Sequence, residues 1–406
     1  MKIIGQVKLW MLLCLFGLSQ ATETACSAAL PNIAKSFKVD GNYAQLNSSM
    51  YFIGFAIGIL SLGRVSDIFG RRPIILTGLT IYIAASVASI FATDINILIT
   101  LRFCQAFGAS VGSVIGQAMA RDSYKGSELS YIYASLSMGL ALIPSIGSAM
   151  GGYIVEYFGW RYIFLTLSII SSILLMLYAK LLPETNPYIG LSRNNRYLSV
   201  LKVVIRDKIV LLYAFIIGSF NGMAFGFYME APFIFIDKIG MAPSSYGKLA
   251  LLLTIANVFG SLSNRYMVRK HVDSKKIMTG GLASSLIGCT LLMIFSYTIK
   301  YDANKYLITA AIFIPMMMHI VGHSFLLPLS LRYALEDYSK VTGTAGSVFG
   351  FLYYILVAII SYAVSKLHNN AVINFTVLFF TLSLLSSISF YLILKWQPLK
   401  KKYEFN

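Results

Sequence analysis

The 406-residue chain is 57% hydrophobic and 12% charged, with a net charge of +17. Soluble domains carry about a quarter charged residues, so this composition excludes one before any motif is read. Apolar stretches of about 20 residues recur along the whole length, the signal of membrane-spanning helices. Backbone in lipid must satisfy its own hydrogen bonds, which makes those stretches helical.

Taken in chain order, the apolar runs predict twelve spans. Six lie at about 7–30, 44–63, 73–92, 96–119, 129–154 and 160–182, and six more at about 209–236, 244–264, 277–299, 305–331, 341–367 and 371–395. The lysine-flanked first stretch lacks a small-residue cleavage site and is read as a retained helix. The polar interruption NPYIGLSRNNRY predicts a linker over 186–208, with a short amphipathic helix, between bundles at 1–185 and 209–406. With the ends of the spans alternated, roughly three basic residues fall on the N-terminal side for each one opposite. That is the positive-inside asymmetry, and it predicts both termini in the cytoplasm. It also accounts for the basic excess without nucleic-acid binding. Cys14, Cys26, Cys104 and Cys289 all fall in apolar stretches, without metal-ligand spacing, and are read as small buried residues.

The densest charge between apolar stretches is GRVSDIFGRRP, Gly63 to Pro73. Gly63 and Gly70 are expected to free the backbone for a tight reversal. Asp67 is expected to meet Arg71, Arg72 or a helix end. A shift of 197 residues sets Gly63 on Gly260, Ser66 on Ser263, Asp67 on Asn264 and Arg72 on Arg269. The echo, GSLSNRYMVRK, points to duplicated halves, the expected build of a secondary carrier.

GRVSDIFGRRP resembles the loop between the second and third helices of the major facilitator superfamily, except at Ile68, where a basic residue is usual. Further stretches are similar to the Bcr/CflA group of drug–proton antiporters: ALPNIAKSF, LRFCQAFGAS, ARDSY, ALIPSIGSAMGGY, FGWRYIF, LLPET and PLSLRYALE. The resemblance implies two six-helix bundles, transport by alternating access, and a bacterial cytoplasmic membrane. It also implies an inner-gate latch at the loop, and a fifth-helix hinge at Pro144, Gly147, Gly151 and Gly152. The chain departs from the group at three places. Thr24 stands where the first helix usually has Asp, with Glu23 one position earlier. Ser148 replaces a second proline, and Leu329 follows Pro328 where Asn is usual.

Glu23 is the one acid well inside a span. At 1.5 Å per residue it lies about 22 Å from Lys8, and Arg102 lies about 9 Å from the far end of the fourth span. The two therefore come to similar depth. Gln20 and Gln105 each share a helical face with the neighbouring charge. An intramembrane acid is a functional candidate by default, and Glu23 is expected either to take up and release a proton beside Arg102, or to form a permanent ion pair with it or reach outer water. Glu230, late in the seventh span, is expected at the outer end as a rim residue or outer-gate contact. His319 and His323, at i and i+4, together with Asn221, are expected either to line the cavity or to hydrogen-bond between helices. No third ligand joins the histidines, so no metal is expected.

The functional expectation is proton-coupled efflux of drug-like or cationic small molecules. The alternative is a carrier of a sugar, amino acid or organic acid. No nucleophile–base pattern or nucleotide loop suggests an enzyme, and no cofactor is expected. The expected partners are a small-molecule substrate, protons and the lipid bilayer, and the chain is expected to be a monomer.

Overall fold

The computed structural model describes residues 6–186, 189, 196–298, 304–368 and 373–396. Most of the NPYIGLSRNNRY stretch lies outside them. Among the described residues, twelve helices are long and apolar enough to cross a membrane. The first six spans are α1 (Leu9–Ala28), α3 (Gly41–Phe69), α4 (Arg71–Ile90), α5 (Ile95–Ser123), α6 (Gly126–Tyr157) and α7 (Arg161–Leu181). The second six are α9 (Lys208–Pro232), α10 (Pro243–Arg269), α11 (Ser274–Thr298), α12 (Lys305–Ala334), α13 (Thr342–Leu367) and α14 (Ile373–Trp396).

Two short helices flank the spans. The ALPNIAKSF segment leaves α1 and forms α2 (Leu30–Phe37), with Pro31 in its first turn, where a missing N–H costs no helical bond. The linker forms α8 (Arg196–Arg206). Its Val200 and Val204 are buried, while Lys202 and Arg206 are exposed, so it is amphipathic at i, i+4 spacing. Asp207 then caps α9, accepting from Ile209 N at 3.0 Å and from the Tyr338 hydroxyl at 2.7 Å.

The packing repeats. α3 and α4 both lie on α5, and α10 and α11 both lie on α12. α1 packs on α6 as α9 packs on α13, and α4 on α7 as α11 on α14. Two extensive pairings join the sets of six, α3 with α13 and α6 with α10, and α1 also touches α9. Apolar residues such as Ile169, Ile173, Ile388 and Tyr391 stay exposed, which makes a surface suited to lipid.

The loop motif differs from expectation at Gly63. α3 continues through Gly63, Ser66 and Asp67 to Phe69, because helix persists beyond the apolar stretch where polar side chains can reach water. Gly63 makes room for Val114 of α5 instead of turning the chain. The reversal rests on Gly70 alone, at φ 101°.

Backbone contacts between glycines hold each set together. A Cβ on Gly108 would lie 2.5 Å from the Gly78 carbonyl oxygen, and one on Gly322 would overlap that of Gly281. Gly280 faces open space. Gly108→Val should therefore lower thermal stability in detergent by about 1–3 kcal/mol of overpacking. Gly280→Val should leave the melting temperature unchanged, and equal melting of the two variants would contradict this packing.

Candidate functional site

The structure brings Glu23 of α1 and Arg102 of α5 into contact. Arg102 Nη2 donates to Glu23 Oε2, and both side chains are 1% exposed. Arg102 Nη1 donates to Gln105 Oε1 at 2.6 Å. Gln105 Nε2 donates to Ser86 Oγ of α4 at 2.7 Å, and Ser86 donates to the Tyr82 carbonyl at 2.7 Å. The guanidinium lies 4.2 Å from the centre of the Tyr51 ring of α3, a cation–π contact. Ser27, one turn beyond Glu23, donates to Glu23 Oε1 at 3.5 Å. A buried ion pair needs this support, since each charge taken from water costs several kcal/mol unless its remaining groups are satisfied.

Glu23 also edges a cavity between the two sets of six spans. Its walls include Gln20, Tyr51, Phe52 and Phe55 from the first set and Phe225 and Tyr354 from the second. Its volume is about 10 Å³, room for about one water. Pockets for drug-sized molecules run to about 300–1,000 Å³, so this conformation is closed around the acid. Gln20 lines the cavity, whereas Gln105 sits behind Arg102 and does not.

The remaining candidates fall elsewhere. His319 is sealed in helix packing and does not line the cavity. Its Nδ1 meets Ser285 Oγ at 2.8 Å and its Nε2 meets the Phe220 carbonyl at 3.2 Å, tying α12 to α11 and α9. A neutral ring satisfies both contacts, with Nε2–H donating to the carbonyl and Nδ1 accepting from the serine. His323 lies against the same Phe220 ring at 6.5 Å between centroids. Asn221 donates to the Ile217 carbonyl of its own helix at 3.0 Å. Glu230, expected as a rim residue or outer-gate contact, is 3% exposed and contacts Gln45 of the first set and His368.

Around the Gly70 turn, Arg71 donates to Asp67 Oδ1, to Ser66 Oγ at 2.8 Å and to Asp122 Oδ2 of α5 at 3.2 Å. Arg72 donates to the Ala179 carbonyl of α7 at 2.5 Å. The start of α4 is capped by Glu184, of the LLPET stretch, which accepts from Arg71 N at 2.9 Å and Arg72 N at 3.0 Å. A carboxylate at a helix N-terminus satisfies free N–H groups and complements the helix dipole. Every one of these bonds ends on the first six spans or the segment just after them.

α6 runs unbroken through Pro144. Gly147 and Gly151 press on Ala21, Thr24 and Ala25 of α1, while Gly152 meets the Pro243 carbonyl of α10. Ser145 Oγ donates to the Ala250 carbonyl of α10 at 2.7 Å. The fifth-helix glycines therefore serve two neighbours, α1 and the second set of spans. Sequence reasoning missed the aromatic walls, the Glu184 cap and the Glu230 partners. Only i, i+4 spacing of Tyr51 and Phe55 hinted at any of them.

The sequence model of the Major Facilitator Superfamily matches residues 12–362. The chain belongs to that superfamily. It is a multi-pass membrane transporter and not an enzyme. It is 57% identical over 396 residues to an "Uncharacterized transporter" of Rickettsia bellii (strain RML369-C), covering 97% of this chain and 98% of that one. It is 26% identical over 353 residues to the "Bicyclomycin resistance protein homolog" of Haemophilus influenzae (strain ATCC 51907 / DSM 11121 / KW20 / Rd), covering 82% and 83%. The similarity to the Bcr/CflA group thus spans most of the chain. The fold matches the crystal structure of a D-xylose-proton symporter at a TM-score of 0.76 and 14% identity, over 95% of this chain and 96% of that one.

Breaking the buried pair from one side should be costly. Arg102→Met strands the Glu23 carboxylate and should cost about 3–5 kcal/mol, read as a drop in thermal stability of the purified protein. Adding Glu23→Gln should restore most of it. A single Arg102→Met variant as stable as wild type would contradict the pairing.

Proposed function

We propose that the transporter exports lipophilic, cationic compounds in exchange for protons, with Glu23 as the coupling acid. The observation that carries this reading is a buried carboxylate paired with arginine at the edge of an aromatic cavity between the two sets of spans. A proton or a cationic cargo can each take the place of Arg102 on that carboxylate, and the two compete for one negative group. The aromatic walls suit a cation, because ring faces attract positive charge. Drug-resistance relatives such as the "Bicyclomycin resistance protein homolog" support the same cargo class.

An anionic cargo fits less well. Both terminal nitrogens of Arg102 are already engaged by Glu23 and Gln105, so an anion would have to displace a buried acid. The metabolite-carrier reading therefore stands second.

In this account residues 1–185 and 209–406 rock as two bodies, joined by the 186–208 linker. α6 and α10 slide at the Ser145 contact, where Pro144 leaves one helical bond unmade. The Gly70 face is cytoplasmic, on the charge asymmetry of the loops. Arg71, Arg72 and Asp67 set the inner turn and rearrange when that side opens. The protein works as a monomer in a bacterial cytoplasmic membrane, with both termini inside.

The test is uptake of ethidium into inside-out vesicles energised by a pH gradient. Wild-type uptake should collapse when a protonophore is added. Glu23→Gln should lose gradient-driven uptake by about tenfold or more. Full uptake by Glu23→Gln that still requires the gradient would remove Glu23 as the coupling acid. Counterflow of a labelled sugar or amino acid without ethidium transport would favour the second reading.

A further inference from the structure

The face opposite the Gly70 turn is closed by contacts between the two sets of spans. An apolar cluster joins Leu30, Ala34 and Ala44 to Met229 and Phe233. Lys35 pairs with Asp237 at 2.5 Å, and Glu156 of α6 accepts from Ser244 N at the start of α10 at 2.9 Å. These two pairs lie toward water. The third polar contact is buried and differs in kind.

Glu230 of α9 accepts from Gln45 Nε2 of α3 at 2.8 Å, and its two oxygens lie 2.8 and 2.9 Å from His368 Nδ1, just after α13, which donates to them when it carries the proton; the same Nδ1 lies 3.3 Å from Gln45 Nε2. Gln45 is fully buried, and its Oε1 has no hydrogen-bond partner among the described residues. α3 also begins against this site, since a Cβ on Gly41 would lie 2.5 Å from His368 Nε2 and 2.8 Å from the Phe233 ring. Glu230 and His368 belong to the second set of spans and Gln45 to the first, so the Gln45 bond crosses the seal.

We propose that Glu230 is a second proton-binding site, and that its carboxylate holds α3 through Gln45 only while it is ionised. A hydrogen bond to a charged acceptor is about twice as strong as a neutral one. Protonation removes that charge and adds a donor that needs an acceptor. A neutral His368 ring can supply one at Nδ1; once that ring is protonated as well, both of its nitrogens donate, and the free Gln45 Oε1 can accept only if the amide turns over, which gives up the existing Nε2 bond. Parting the two sides lets water satisfy either form. Proton uptake by Glu230 therefore weakens the Gln45 tie across the seal and shifts the population toward the open arrangement. Under the orientation above, protons from outside would release the outer seal and gain the route to Glu23.

The charged surroundings are few. Among the described residues, the π-helical extension of α9, Phe233–Lys238, ends on Lys238. α2 brings Lys35, held by Asp237. Asp40 at the start of α3 and Lys366 near the end of α13 stand exposed at the mouth. The ends of α1 and α14 at this face carry no charged side chain. His368, 14% exposed, is the one titratable group in direct contact. The test must separate it from Glu230.

Ser36 on α2 and Ser245 on α10 are exposed on opposite sides of the seal. Spin labels at Ser36→Cys and Ser245→Cys, with the native cysteines replaced by serine, report its opening as a distance distribution in lipid nanodiscs. Between about pH 8 and about pH 5, the long-distance population should grow at least about threefold. Glu230→Gln should abolish that response. Gln45→Met should raise the long-distance population already at about pH 8 and flatten the response. The response should persist with His368→Gln, and with Glu23→Gln, which separates this site from the coupling acid. A pH-independent distribution in the wild type, an unchanged response in Glu230→Gln, or a response lost only in His368→Gln would overturn the proposal.

Discussion

A carboxylate and a guanidinium, each 1% exposed, face one another in the middle of a membrane protein. In that setting neither charge can be left alone, and the helices around them answer to this constraint. α4 supplies Ser86 to hold Gln105, Gln105 holds Arg102, and α3 lays the Tyr51 ring against the guanidinium. The close approach of α4 and α5 at Gly78 and Gly108 brings Ser86 within reach. Packing and charge thus place one acid at the edge of a cavity walled by both sets of spans.

The two sets share one packing plan but not one chemistry. Where the first set has Asp67, the second has Asn264, whose Nδ2 donates to the Ser324 carbonyl of α12 at 2.9 Å. Near mid-span the second set carries His319, satisfied by Ser285 and a backbone carbonyl. Its buried polar groups tie neighbouring helices and carry no net charge at that depth. Its buried carboxylates lie toward the two ends, Asp207 at the start of α9 and Glu230 at the closed face. On the proposals above, such a carrier would divide its work, one set holding the charge that binds and the other a charge at the gate.

Much of this was legible before any coordinates. Spanning helices announce themselves because lipid demands about 20 apolar residues, and antiparallel spans of fixed rise set Glu23 and Arg102 level. Hydropathy marks where lipid ends, though, not where helix ends, and so Gly63 read as loop. Glu184 lies on irregular chain after α7, where no periodicity says which helix it will cap. His368 follows a helix end outside any motif. Among 26 Tyr and 27 Phe, nothing in spacing separates Phe225 or Tyr354, which line the cavity, from residues facing lipid. Contacts between distant segments are a property of the packed fold, and a local pattern does not carry them.

The central claim is that proton and cationic cargo compete for the Glu23 carboxylate. The direct measurement is proton release when tetraphenylphosphonium is added to purified transporter in weakly buffered detergent, followed with a pH indicator. Starting from a pH acid enough for a proton to have replaced Arg102 on Glu23, the account predicts about one proton released for each cation bound, and none from Glu23→Gln. Cation binding without proton release in the wild type, or equal release from Glu23→Gln, would contradict it.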